Sequence, residues 1–293
     1  MKRAWQTTGR CSRILLCGVC CCILFACGGG MRAGDSDVPE GGDSTVAYAV
    51  RVPEASGTIV YAQNGVTIDA SHTDFGYVMI CCKNDSNRLK VRIGTEVQTY
   101  TYDLPGDETY AAFPLQLGDG AYNVRVLEHV SDDLYSVVYA VDITVALEDG
   151  ALPFLYASQY VDFDAASACV QKSVELVGTE TSGARAANKL FRFVADTIDY
   201  DYDKAATVQS GYLPDPDATL AEKKGICFDY SALLAAMLRV QSLPTKIVIG
   251  NVTPENILHA WNLVYYDGDW HWMDATLDGT GHKARDYTAQ RVY

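Results

Sequence analysis

The chain has 293 residues, 48 % of them hydrophobic, which is enough to bury substantial cores and suggests two domains of ordinary size. Its formal charge is −14, and the four charged residues before Cys27 (Lys2, Arg3, Arg10 and Arg13) are all basic, so the remainder carries −18. A body this acidic excludes a nucleic-acid partner, because phosphate recognition needs a basic surface; the charge reads as solubility outside a cell.

The four basic residues precede an apolar run over 14–26, too short to span a bilayer but suited to a signal-peptide core. The run ends Leu24-Phe25-Ala26-Cys27, followed by Gly28, Gly29 and Gly30, and this ending resembles a bacterial lipobox. The resemblance implies that 1–27 is a lipoprotein signal peptide and that Cys27 is the lipidated mature N-terminus. The protein would then be tied by a lipid anchor to the outer face of a bacterial membrane, at the cell surface.

Of ten cysteines, Cys11, Cys17, Cys20, Cys21 and Cys22 precede Cys27, which leaves Cys81, Cys82, Cys169 and Cys227. These four have no CxxC spacing and no neighbouring histidine, which argues against structural zinc; no metal and no cofactor is expected. If an exported chain forms a disulfide here, Cys169 with Cys81 or Cys82 would be the pair. Cys227 is then the odd cysteine and needs a reason of its own.

Residues 28–45 are rich in Gly, Asp and Ser and have little to bury, as a flexible tether would. Over 46–149 the apolar period is two. Tyr122, Val124 and Val126 alternate with polar neighbours, as do Val137, Tyr139, Val141, Ile143 and Val145. Turn signals such as Asn64-Gly65 and Gly118-Asp119-Gly120 separate the runs, and the pattern predicts an all-β antiparallel sandwich of Ig-like type. His72 and His129 stand alone in this segment, which binds, spaces or supports rather than catalyses.

Over 150–293 the period changes and an α+β domain is expected. Ala187, Leu190, Phe191, Val194 and Ile198 follow helical spacing and predict a helix over 183–198. A second helix is expected over 227–240, with Ser231, Leu234, Met237 and Leu238 along one side. A strand follows at 245–249. Strands at 259–266 and 270–275 then flank Asp267-Gly268, a strong hairpin signal.

A thiol nucleophile needs a site that favours the thiolate, a base within reach and a group that orients the base. Cys227 opens the second helix, where the positive end of the helix dipole favours a thiolate. With a two-residue loop, Tyr266 pairs with Asp269, and His259 and Asp274 fall on one face as diagonal neighbours within side-chain reach. His271 falls on the other face, with a structural role.

Gly225-Ile226-Cys227-Phe228-Asp229-Tyr230, His259-Ala260-Trp261 and Trp272-Met273-Asp274-Ala275-Thr276 resemble, in order, the three signature blocks of the transglutaminase-like superfamily. The stretch Ile198-Asp199-Tyr200-Asp201-Tyr202-Asp203 resembles its lead-in, so the likeness covers about 165–276; Ala275 stands where the family usually has proline. The resemblance implies a papain-like core with a Cys227, His259 and Asp274 triad, in which Asp274 orients His259. It also implies an oxyanion hole from the Cys227 backbone N–H and Tyr200 (or Tyr202). Trp261, Trp270 and Trp272 are candidates to wall a substrate groove or to pack the sheet, alternation dividing them between its faces, and Asp229 and Tyr230 are candidate supports. The function implied is a cysteine protease or amidase acting through a thioester on a protein or peptide outside the cell, with cell-wall peptides among the candidates. A protein-cross-linking transglutaminase is the alternative within the same chemistry. A surface-binding module on a non-catalytic scaffold is the alternative outside it.

Overall fold

In the first half, apolar residues at every second position build two antiparallel sheets over one core. The computed structural model describes residues 45–84, 87–254, 256–281 and 286–293; the expected signal peptide, Cys27 and all but the last residue of the expected tether lie outside them. One sheet has the order β1-β2-β3-β6, from β1 (Val60–Gln63), β2 (Val66–Asp69), β3 (Tyr77–Cys82) and β6 (Ala111–Pro114). The other has the order β5-β4-β7-β8, from β4 (Leu89–Gly94), β5 (Thr99–Leu104), β7 (Gly120–Ser131) and β8 (Leu134–Val145). In β4, Leu89, Val91 and Ile93 are buried while Lys90 and Arg92 lie on the opposite side, the signature of a strand covered on one face. Ile68, Val78, Ile80 and Phe113 from the first sheet meet Val91, Tyr102, Val124 and Val126 from the second in a common apolar core. At the β1–β2 turn Asn64 and Gly65 both take positive φ (55° and 78°), as the expected two-residue hairpin requires.

The four described cysteines are free thiols. Cys82 is buried in the core between the two sheets, whereas Cys169 is fully buried in the separate helical core of the second half. The pairing of Cys169 with Cys81 or Cys82 is therefore not formed: Cys82 and Cys169 lie in different apolar clusters, and Cys81 is a half-buried free thiol.

The second half contains α1 (Ala168–Val177), α2 (Gly183–Thr197), β9 (Asp199–Tyr200), α3 (Tyr202–Thr207), α4 (Pro216–Glu222), β10 (Lys224–Gly225) and α5 (Cys227–Arg239). Then follow β11 (Thr245–Val252), β12 (Ile257–Tyr266), β13 (Asp269–Met273), α6 (Ala275–Thr280) and β14 (Tyr287–Val292). Ser182 caps α2 by accepting from the Arg185 N–H, and Ala187, Leu190, Phe191 and Val194 line its buried face. Instead of burying one side, α5 is enclosed from Asp229 to Arg239. It packs against α1, α2, α4, β11 and β12. Three alanines, Ala232, Ala235 and Ala236, let its neighbours approach closely.

The sheet beside α5 has the order β13-β12-β11-β14 and is antiparallel throughout. Tyr266 pairs with Asp269 across the left-handed Asp267 and Gly268 (φ 53° and 82°), the expected register. The strand expected over 270–275 stops at Met273, because the Asp274 carboxylate turns to accept from the Leu277 N–H and caps α6. Strand β14 was not legible as a strand. It pairs with β11, Arg291 donates to the Thr99 carbonyl, and Gln116 donates to the Val292 carbonyl. Tyr293 packs against both large cores. At the other end, Val46 and Ala49 donate to the Thr181 and Val240 carbonyls, so residues 45–51 run along the helical half. Among the described residues, no helix is long and apolar enough to cross a membrane.

Candidate active site

Two short strands place the cysteine. β9 and β10 pair in parallel, Tyr200 beside Gly225, and the Asp201 N–H donates to the Gly225 carbonyl at 2.8 Å. The chain then turns at Ile226 into α5, whose first residue is Cys227. Asp229 fixes this turn: its carboxylate, fully buried, accepts from the Ile226 N–H at 2.8 Å, from Lys204 Nζ at 2.7 Å and from the Tyr212 hydroxyl at 2.5 Å. Gly225 is required beside it, since a Cβ there would lie 2.6 Å from the Asp229 Cβ. The same carboxylate thus anchors the helix that presents Cys227 and the segment 208–212 that follows α3.

The hairpin supplies the rest. His259, 6 % exposed on β12, is hydrogen-bonded through Nε2 to Asp274 Oδ2 at 2.7 Å. That leaves Nδ1 as the ring nitrogen for the neighbouring Cys227 thiol, which lines the same cavity. Asp274 is 1 % exposed and its donors are matched to it. Oδ1 takes the Leu277 N–H at 3.0 Å, and Oδ2 takes both His259 and the Tyr287 hydroxyl, the latter at 3.0 Å. Burial opposes a charge on His259, but the hydrogen bonds and negative charge of Asp274 and Cys227 outweigh it and push its pKa up to about 10. Burial and the adjacent Asp274 push the Tyr287 hydroxyl far above its ordinary value, so it stays protonated and donates.

Cys227 and His259 open into a cavity of about 600 Å³ together with Tyr200, Phe228, Ile249 and Leu258. Tyr200 therefore lies at the site. Tyr202 is 66 % exposed, stacks edge-on against Tyr200 and is absent from the cavity wall.

Of the two roles expected for Trp261 and Trp272, packing the sheet is the one both take, and neither is in the cavity wall. Trp261 pairs with Val248 of β11 and is buried against it and Val252, while both indoles pack edge-on against Tyr287, at 5.0 and 4.9 Å between ring centres. Strand alternation gives them to the apolar cluster on that face of the sheet, which supports the His259–Asp274 pair from one side. His271 stacks flat on Tyr266 and contacts its carbonyl, a structural role.

Sequence reasoning missed Tyr287, Lys204, Tyr212 and the cavity segment 208–212. Tyr287 follows Asp274 at no recognisable spacing, so nothing short of the fold reveals it. Asp229 carried a signal: an acid three residues after a helix-starting position reaches back to the preceding N–H. Among the described residues no group of three or more His, Cys, Asp or Glu side chains is arranged to hold a metal ion.

Residues 170–275 match the family model of the transglutaminase-like superfamily. A UPF0252 protein of Methanocaldococcus jannaschii is 40 % identical over 52 residues, which is 16 % of this chain and 15 % of that protein. A crystal structure of a TGase matches with 26 % identity and a TM-score of 0.32, over 37 % of this chain and 30 % of that one. A crystal structure from Cytophaga hutchinsonii, described as a candidate cysteine protease, matches with 14 % identity and a TM-score of 0.40, over 85 % of this chain and 86 % of that one. The chain thus spans well under a third of the archaeal protein and just under a third of the TGase. Residues 170–275, which hold Cys227, His259 and Asp274, are a transglutaminase-like domain of mixed α/β structure.

Proposed function

We propose that the protein is a cysteine peptidase or amidase in which Cys227 is the nucleophile, His259 the general base and acid, and Asp274 the group that orients the imidazole. The observation that carries this reading is the buried His259–Asp274 hydrogen bond, with the thiol of a helix-starting cysteine on the other side of the same ring. The Cys227 sulfur attacks an amide carbonyl, forming a C–S bond, and its proton resides on His259. The tetrahedral intermediate collapses as the C–N bond breaks, and His259 returns the proton to the leaving amine. Water then attacks the thioester, giving its proton to His259, and a carboxylic acid leaves as the C–S bond breaks. The Cys227 N–H, at the start of α5, and the Tyr200 hydroxyl are the donors for the oxyanion.

Alkylation by iodoacetamide tests the nucleophile, read as mass gain on the peptide containing Cys227. With its proton held up to about pH 10, the His259 imidazolium faces the Cys227 sulfur through neutrality, and the rate is expected to stay nearly flat from about pH 6 to 9. His259→Ala should restore the profile of a free thiol, which rises toward a pKa of about 8.5. A profile of that free-thiol shape in the unmodified protein would sink the assignment.

The Cys27 lipobox motif supports placing this enzyme outside a bacterial cell on a lipid anchor, with 28–45 as the tether. The two antiparallel sheets fit an Ig-like sandwich domain over 46–149 that presents the enzyme. Radiolabelled palmitate should enter the chain and be lost in Cys27→Ala; equal labelling of both would remove the anchor.

A further inference from the structure

We infer that the cavity at Cys227 selects acyl donors with an uncharged aromatic or branched apolar side chain next to the scissile carbonyl; this rests on the assignment of Cys227 as nucleophile. The cavity measures about 600 Å³, within the range of about 300–1,000 Å³ that ligand sites occupy, so it holds a peptide side chain together with its backbone. Its walls come from separate parts of the fold. Val208 and Tyr212 bound it from the segment after α3, Phe228 from the start of α5, Ile257 and Leu258 from the start of β12, and Tyr160 from the segment before α1.

The chemistry of that lining is one-sided. Among the described residues, no Asp, Glu, Lys or Arg side chain lines the cavity. Two charges beside the lining residue Tyr212 are already engaged: Asp229 and Lys204 bond each other and the Tyr212 hydroxyl. In a chain of net charge −14, a surface without Asp, Glu, Lys or Arg, whose one charge is His259 at the reacting end, is set apart from the rest of the molecule. At its rim Ile257 and Leu258 are 55 % and 62 % exposed, an unusual placement for two consecutive apolar residues. An apolar substrate side chain would cover them and lose contact with water. A carboxylate or ammonium against Ile257 and Leu258 would lose its hydration with no Asp, Glu, Lys or Arg in the lining to replace it. A peptide bearing charge beside the scissile bond is therefore disfavoured.

The test compares blocked phenylalanyl, leucyl, aspartyl and lysyl chloromethyl ketones on the purified full chain. In each reaction the Cys227 sulfur displaces chloride, forming a C–S bond as C–Cl breaks, and the adduct is read by peptide mass. The phenylalanyl and leucyl reagents are expected to label Cys227 at least tenfold faster than the aspartyl and lysyl ones. Leu258→Lys, a change at an exposed position, should narrow the gap to the aspartyl reagent severalfold. Equal rates, or faster labelling by a charged reagent, would overturn the selectivity. Should none of the four label Cys227 while iodoacetamide does so rapidly, the selectivity falls and the nucleophile stands. If iodoacetamide is slow as well, both fall.

Discussion

Cys227→Ala and His259→Ala are each expected to slow hydrolysis of a phenylalanyl p-nitroanilide by at least about 10⁴-fold, with the double variant no slower than either. A nucleophile and its base act as a unit, so removing one leaves the other nothing to do. The geometry makes the coupling tight, because His259 is enclosed and its Nε2 is committed to Asp274, so it cannot turn to serve a different proton. Asp274→Asn should fall short of these losses, since Leu277 and Tyr287 still hold the side chain in place while the charge that supports the imidazolium is gone. Steady-state rates with active-site concentration from chloromethyl-ketone titration supply the measurement. Losses that multiply in the double variant would mean the two residues act independently, and the mechanism would be wrong.

Asp229→Ala is expected to destabilise the protein by about 2–4 kcal/mol. Its carboxylate is fully buried and satisfies the Ile226 N–H, the Lys204 ammonium and the Tyr212 hydroxyl. Alanine leaves a buried backbone donor without a partner. Lys204 is partly exposed and can recover water, which keeps the loss below that of a fully enclosed pair. Asp229→Asn preserves the shape and one acceptor, so it should cost less than half as much. Urea unfolding of the three proteins would decide; a difference below about 1 kcal/mol for alanine would show that the carboxylate does not hold the turn.

The site was legible where its geometry is local. The Asp267-Gly268 turn fixes the hairpin register, and register with alternation brings His259 and Asp274 within reach of each other. Cys227 at a helix start could likewise be read from the change of pattern at Gly225. Long-range packing was not legible. Trp261 and Trp272 look like groove residues because aromatic side chains suit both a binding wall and a buried cluster. Only Val248 opposite Trp261, and Tyr287 from a distant strand, decide for the cluster. The enclosure of α5 was equally hidden, because a helix surrounded by others has no polar face to supply a period. The alternating strands of the first half gave their pairing faces directly, but nothing in them told that Tyr293 would pack against both cores.

Tyr287 and its strand bear on when the site is completed. Synthesis runs from the N-terminus, so β12, β13 and the Cys227 helix all emerge before residues 287–292. Until that segment arrives, β11 has an open edge and Asp274 lacks the hydroxyl donated by Tyr287. Of the described strands, β14 comes latest in the chain, so the surroundings of the His259–Asp274 pair are completed from the far end of the sequence, after every other strand of the site has been made.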